Sequence, residues 1–119
     1  MVSGEPLPRF IGGVIAPGLA AMGQYMARHA ALLPLLEPQL PQRAIGRSTQ
    51  EALHAGACHG YRGLVREILA TIAVELGQQP YVIATGGDAA SPAARLPEIN
   101  EVDPLLTFRG MALISHGAR

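Results

Sequence analysis

The chain has 119 residues, the usual length of one domain, and its nine Lys plus Arg balance nine Asp plus Glu with only 15% of residues charged. So balanced a surface offers no electrostatic footprint for nucleic acid or an anionic membrane. Hydrophobic residues reach 49% while Trp is absent and aromatics are 4%, so the core must be built from small and aliphatic side chains, and 14 Gly with 10 Pro demand many turns, caps or close backbone approaches.

Met1 to Pro6 carry neither the basic segment nor the apolar stretch of a signal peptide. Phe10-Ile11-Gly12-Gly13-Val14-Ile15 is an apolar run of strand type with two glycines at its centre, which marks a bulge or a place where another backbone or a ligand comes close. Pro17 suits a first helical turn, and Leu19, Met22, Met26 and Leu33 share one apolar stripe, which predicts a helix from about Pro17 to Leu33. Pro34, Pro38 and Pro41 end it and hold the next segment extended. The apolar stretch Ala30 to Leu36 is interrupted by Pro34 and falls short of the roughly 20 residues that cross a bilayer.

Ser48-Thr49-Gln50-Glu51 has the form of a capping box, in which hydroxyl and carboxylate satisfy orphan N–H groups at a helix start. The next proline is Pro80, and Gly77 suits the left-handed residue that closes a helix. The predicted helix is about 28 residues and about 42 Å long. Its second half carries Leu64, Ile68 or Leu69, Ile72 and Leu76 at helical spacing, but its first half holds Gly56, Gly60 and Gly63, each costing about 1 kcal/mol relative to Ala. Such a face invites another backbone. A rod longer than a globule of about 14 Å radius of gyration is expected to meet a second subunit with part of that face. Pro80 to Ala84 reads as a buried strand and Thr85-Gly86-Gly87-Asp88 as the turn at its carboxyl end. A short helix over Ala89 to Leu96, a strand over Ile99 to Val102 and a helix from Asp103-Pro104 to Gly117 complete the chain.

Several residues admit both a functional and a plain structural role. The Thr85-Gly86-Gly87 turn leaves room and backbone N–H groups for a base or a phosphate, and a tight turn needs the same residues. Thr49 offers a hydroxyl at a helix amino terminus, where capping already accounts for the local sequence. His54 and His59 lie off one helical face. Cys58 is the single cysteine, with no internal disulfide partner and no zinc-ligand spacing, which points to a reducing compartment and to a packed small residue rather than a nucleophile. Glu98, Glu101 and Asp103 form an acidic group with two readings, a metal site or a solvated loop with a helix cap. No pair of residues forms an acid and base for catalysis. The expectation is a soluble, cytoplasmic protein with no nucleic-acid and no membrane partner.

Taken in order, five stretches resemble the carboxyl-terminal half of type III pantothenate kinase, a member of the acetate and sugar kinase/actin superfamily. They are Phe10-Ile11-Gly12-Gly13-Val14-Ile15-Ala16-Pro17-Gly18; Ile45-Gly46-Arg47-Ser48-Thr49 with Glu51-Ala52 and Gly56; Gly60-Tyr61-Arg62-Gly63; Val82-Ile83-Ala84-Thr85-Gly86-Gly87; and Val102-Asp103-Pro104-Leu105-Leu106-Thr107 with Gly110. The similarity runs from about Arg9 to Ile114. It implies an α/β fold in which residues 1–119 form one domain. That domain is the ribonuclease-H-like second domain, lacking its first strand and the amino-terminal domain. It implies transfer of the γ-phosphate of ATP to pantothenate, the first step of coenzyme A biosynthesis, with a divalent cation (Mg) and a monovalent cation (K or NH4) in the complete enzyme. It implies a homodimer through the long helix at about 48–77, with Thr49 reaching pantothenate in the partner subunit's site. Thr85, Gly86 and Gly87 then lie near the nucleotide, and Gly12 with Gly13 line the cleft.

The family's amino-terminal half carries an Asp-x-Gly-Asn-Thr phosphate loop and the general-base Asp, and an Asp-x-Gly-Thr-Ala segment lies upstream of its glycine pair. This sequence contains none of them and no Lys, and it has Ser48 where Asn is common and Asp88 where an apolar residue is usual. Phosphoryl transfer rests on positioning and charge stabilisation, so the expectation is a kinase half that is inactive without a separate amino-terminal half. The alternatives are a non-catalytic dimerising accessory protein derived from this family and a small nucleotide-binding module.

Overall fold

Helices form here where local hydrogen bonds close on themselves, and strands only where a neighbour is at hand. A computed structural model of the chain describes residues 7–29 and 40–117. In order these are α1 (Leu19–His29), α2 (Thr49–Leu76), β1 (Ile83–Ala84), a single 3-10 turn (Pro92–Ala94), β2 (Glu101–Val102) and α3 (Leu106–Gly117). The architecture is α/β, with the two strands paired in parallel and Ile83 opposite Glu101, Ala84 opposite Val102.

The first predicted helix begins at Leu19 rather than Pro17. Gly18 is the cap, and its carbonyl accepts the first helical bond, from Met22 N–H at 3.0 Å. Leu33, the far end of the predicted stripe, lies outside the described residues.

The long helix matches its sequence signals at both ends. Ser48 is its cap, with Oγ accepting from Glu51 N–H at 3.1 Å and donating to Glu51 Oε2 at 3.3 Å. The Glu51 carboxylate therefore engages the hydroxyl of the capping box. Gly77 closes the helix at φ 74°, its N–H donating to Ala73 and Val74 carbonyls. Gly56, Gly60 and Gly63 are exposed, and a Cβ on any of them would meet nothing within 4 Å. Among the described residues no backbone of this chain uses that face.

Three expectations fail, two of them for lack of neighbours. Residues 10–15 form no strand; Phe10 is 91% and Ile15 101% exposed, because a strand takes shape only against another. The strand over 80–84 shrinks to Ile83–Ala84 and is not buried, since β2 covers only one edge and Tyr81 stays exposed. Asn100 extends the pairing by one step: Val82 N–H donates to Asn100 Oδ1 at 2.7 Å and the Val82 carbonyl accepts from Asn100 N–H at 2.9 Å. The short helix over 89–96 is reduced to the 3-10 turn, where Pro92 and Pro97 each remove a donor.

The core is thin. Leu19 of α1 packs on Cys58 of α2, with Tyr61 against them, and among the described residues the other buried apolar side chains are Ala55, Ala57, Ala89, Ala94 and Leu96. Two arginines strap the 92–98 segment to α2. Arg62 donates to the Arg95 carbonyl, and one turn on Arg66 Nε meets Glu98 Oε2 at 2.6 Å.

Candidate functional site

The Thr85-Gly86-Gly87 turn leaves the carboxyl end of β1, the edge at which parallel sheets bind ligands. Gly86 sits at φ 101°, a conformation that favours glycine, and its carbonyl accepts from Ala89 N–H at 3.2 Å. A cleft of 520 Å³ opens between this turn and α2, walled by Tyr61, Val65 and Leu69 and floored by residues 82–89. Tyr61 is half-buried. Burial, and then the Asp88 charge across the cleft, push its phenol above the usual range, so it stays neutral. A flat apolar wall facing a glycine turn can hold a planar ring, and the turn's small residues admit close backbone contact.

Asp103 follows β2 on the same edge. It is 7% exposed, its N–H donates to the Ala84 carbonyl at 2.9 Å, and its carboxylate accepts from Leu105 N–H at 3.0 Å and Arg109 at 2.8 Å. Asp103 thus ties β1 to the start of α3 directly beside Thr85. The other acidic residues take separate partners. Glu98 engages Arg66, and Glu101 accepts from Tyr81 Oη at 3.1 Å. The acidic group is a set of pairs and caps rather than a metal site, and among the described residues no three His, Cys, Asp or Glu side chains converge.

Gly12 and Gly13 line a different cleft, of 540 Å³, with Ile11 and Val14 on one side and Ile68, Thr71, Ile72 and Leu76 of α2 on the other. Thr49, the first residue of α2, is exposed and lines neither cleft. Twelve residues separate it from Tyr61, about 18 Å of helix. The sequence-derived site residues therefore fall into three places within one chain, joined only by α2.

Gly46 went unassigned by sequence reasoning. A Cβ there would collide with the backbone of Glu51 and Ala52, so the loop before α2 lies directly on its first turn and orients Ser48 and Thr49. The available signal was a glycine two residues before a helix cap. His54 Nε2 lies 3.8 Å from Cys58 Sγ, and burial, partly offset by Arg62, pushes the thiol above its ordinary range. His59 is exposed. No helix among the described residues is long and apolar enough to cross a membrane.

The sequence profile described as type III pantothenate kinase matches residues 5–71. The chain belongs to the type III pantothenate kinase family. Curated relatives carrying that name include proteins of Akkermansia muciniphila, 55% identical over 108 residues, and Methylacidiphilum infernorum, 45% identical over 107. These alignments cover 91% and 88% of this chain but 45% and 40% of the relatives. A third, from Anaeromyxobacter sp. (strain Fw109-5), is 42% identical over 110 residues, 92% of this chain and 43% of the relative. The chain thus spans less than half the length of the curated relatives it matches, and it matches their carboxyl-terminal portion.

Proposed function

We propose that this chain is the carboxyl-terminal part of a type III pantothenate kinase. Joined by the part of the relatives that it does not span, it serves ATP-dependent phosphorylation of pantothenate, the first step toward coenzyme A, in the cytoplasm. In this reading residues 1–119 make one ribonuclease-H-like domain. The observation that carries it is the glycine turn at the carboxyl end of a parallel strand, open to the 520 Å³ cleft, in a chain of this family. Thr85, Gly86 and Gly87 receive the nucleotide against the Tyr61 wall. Gly12 and Gly13 line the wider cleft.

Thr49 lies about 18 Å of helix from Tyr61, which walls that cleft, too far to serve the same site within one chain. This supports a homodimer through α2, in which the Thr49 hydroxyl bonds pantothenate in the partner subunit's site. The exposed glycines of α2 leave its face clear for a second backbone. In the reaction the pantothenate hydroxyl attacks the γ-phosphorus of ATP, the bond to the β-phosphate oxygen breaks, and ADP leaves. The base that takes the hydroxyl proton and the loop that holds the phosphates belong to the complementary part. Magnesium and a monovalent cation are expected in the assembled enzyme, but the carboxylates of Glu98, Glu101 and Asp103 do not fit a cation site, being engaged by Arg66, Tyr81 and Arg109.

The test is turnover. The purified chain with ATP, Mg and pantothenate should be inactive, and addition of the amino-terminal portion of the Akkermansia relative should restore ADP release. Thr49→Ala in that assembly should raise KM for pantothenate at least tenfold. Full activity of the chain alone, or an unchanged KM, overturns the corresponding part of the proposal.

A further inference from the structure

The 520 Å³ cleft beside the Thr85-Gly86-Gly87 turn sets two unlike polar side chains on opposite sides, Tyr61 on the α2 wall and Asp88 on the floor. Tyr61 is braced from behind by Leu19 and Cys58, against which it packs. Its phenol remains a donor, since burial and then the Asp88 charge disfavour the ionised form. The backbone around Asp88 is fixed as well: its carbonyl accepts from Ser91 N–H at 3.0 Å, and Ala89 beside it is buried. Asp88 itself is exposed, and among the described residues its carboxylate accepts no hydrogen bond and joins no ion pair. Glu98, Glu101 and Asp103 each have such a partner.

A carboxylate in a ligand cleft restricts what can lie against it. It accepts hydrogen bonds and donates none, and it repels a phosphate brought within a few ångströms. The end of the glycine turn therefore suits an uncharged, donor-bearing part of a nucleotide rather than the phosphates. In a ribonucleotide that part is the sugar, whose two adjacent hydroxyls match the two carboxylate oxygens. An amino group on the base offers its donors from one nitrogen and matches one oxygen only, while the base finds a flat apolar surface on Tyr61, Val65 and Leu69. We infer that Asp88 determines specificity for the sugar, its carboxylate accepting from the ribose 2′- and 3′-hydroxyls of a nucleotide whose base lies against Tyr61 and whose phosphates point away from residues 87 and 88. The inference rests on the reading of this cleft as the nucleotide site and adds which part of the nucleotide the turn holds.

The probes are adenosine, 2′-deoxyadenosine, inosine and ATP. Each is titrated against the 119-residue chain and against the chain joined to the amino-terminal portion of the Akkermansia relative, with NMR reading the Tyr61 ring and the amides of residues 85–89. Adenosine should shift these signals, and 2′-deoxyadenosine should bind about tenfold more weakly for want of one charge-assisted hydrogen bond. Inosine, which has an oxygen in place of the base amino group, should bind as adenosine does. Asp88→Ala should leave the circular dichroism unchanged and bind adenosine and 2′-deoxyadenosine equally, with Asp88→Asn, which keeps one acceptor oxygen, in between. The same Asp88→Ala change should weaken ATP, whereas a carboxylate facing the phosphates would make it strengthen ATP. Equal binding of the two sugars by the unaltered chain, discrimination that survives Asp88→Ala, a gain in ATP affinity, an Asp88-dependent loss with inosine, or no shift from any nucleoside overturns the inference. Turnover of ATP and pantothenate without sugar discrimination removes the role of Asp88 and leaves the kinase reading standing. Sugar discrimination through Asp88 without turnover does the reverse.

Discussion

Helix α2 and the segment at 10–15 are both plainly marked in the sequence, yet one forms its element in full and the other does not form it. α2 is closed by groups within a few residues of its ends: the Ser48 hydroxyl, Glu51, and the left-handed Gly77. Its backbone bonds are all internal, so it needs no distant partner to exist. Residues 10–15 have equally clear apolar patterning, but every backbone bond of a strand belongs to someone else. Local signals suffice for a helix, whereas a strand is a statement about its neighbour.

The difference can be broken from the helix side. Gly46→Ala should have the largest effect, because the new methyl meets backbone rather than a side chain that can turn aside. We expect a loss of about 3 kcal/mol, seen as a lower denaturant midpoint together with reduced helical ellipticity. Ser48→Ala and Gly77→Ala should each cost about 1 kcal/mol, the first by orphaning Glu51 N–H and the second by forcing a side chain into φ 74°. Thr49→Ala, one residue from that cap, should change stability by less than about 0.5 kcal/mol. A larger loss would make Thr49 a structural residue and remove the reason to give it a substrate.

The smallest effect concerns the strap between α2 and the loop before β2. The Glu98 backbone N–H, and then the Arg66 guanidinium, hold the Glu98 carboxyl below the usual glutamate range, against an opposing push from burial. A depressed folded value means that the strap's contribution is present in full above the ordinary glutamate pKa and is lost as pH falls through the folded one. Acid should therefore loosen residues 95–98 before it unwinds α2. Glu98→Gln should abolish that early step in an NMR pH titration, and an unchanged titration of the 95–98 amides would deny the strap any role.

What could be read from residues alone divides along the same line. The bounds of α2 were legible to within a residue because capping and termination are chemistry between near neighbours. The strand at 80–84 was overread. Val82 and Ile83 have the right side chains, but only β2 lies alongside, and Asn100 has to lend a side-chain oxygen to continue the pairing. The helix over 89–96 failed on Pro92 and Pro97. At the candidate site, the glycine turn was legible as a turn, whereas the Tyr61 wall that makes it a cleft was not, since it comes from a helix well back in the chain. The acidic residues at 98–103 were legible as a group, and only geometry showed that each has its own partner. Gly46 has no role legible in the sequence because its reason is a collision with backbone that no pattern of polarity records.

Among the described residues, the seven buried apolar ones include four alanines and a cysteine. Heating the isolated chain therefore uncovers little apolar surface, and its heat-capacity step should fall below the about 12–15 cal/mol/K per residue of ordinary domains. Its stability should then vary little with temperature and its calorimetric transition should be broad, with α2 melting gradually from its glycine-bearing half. The sharp, cold-sensitive transition of a normal enzyme would emerge only once a larger apolar core is completed, so that calorimetry of an assembly with the remaining part of a relative reports the completion of the core rather than the strength of any one contact.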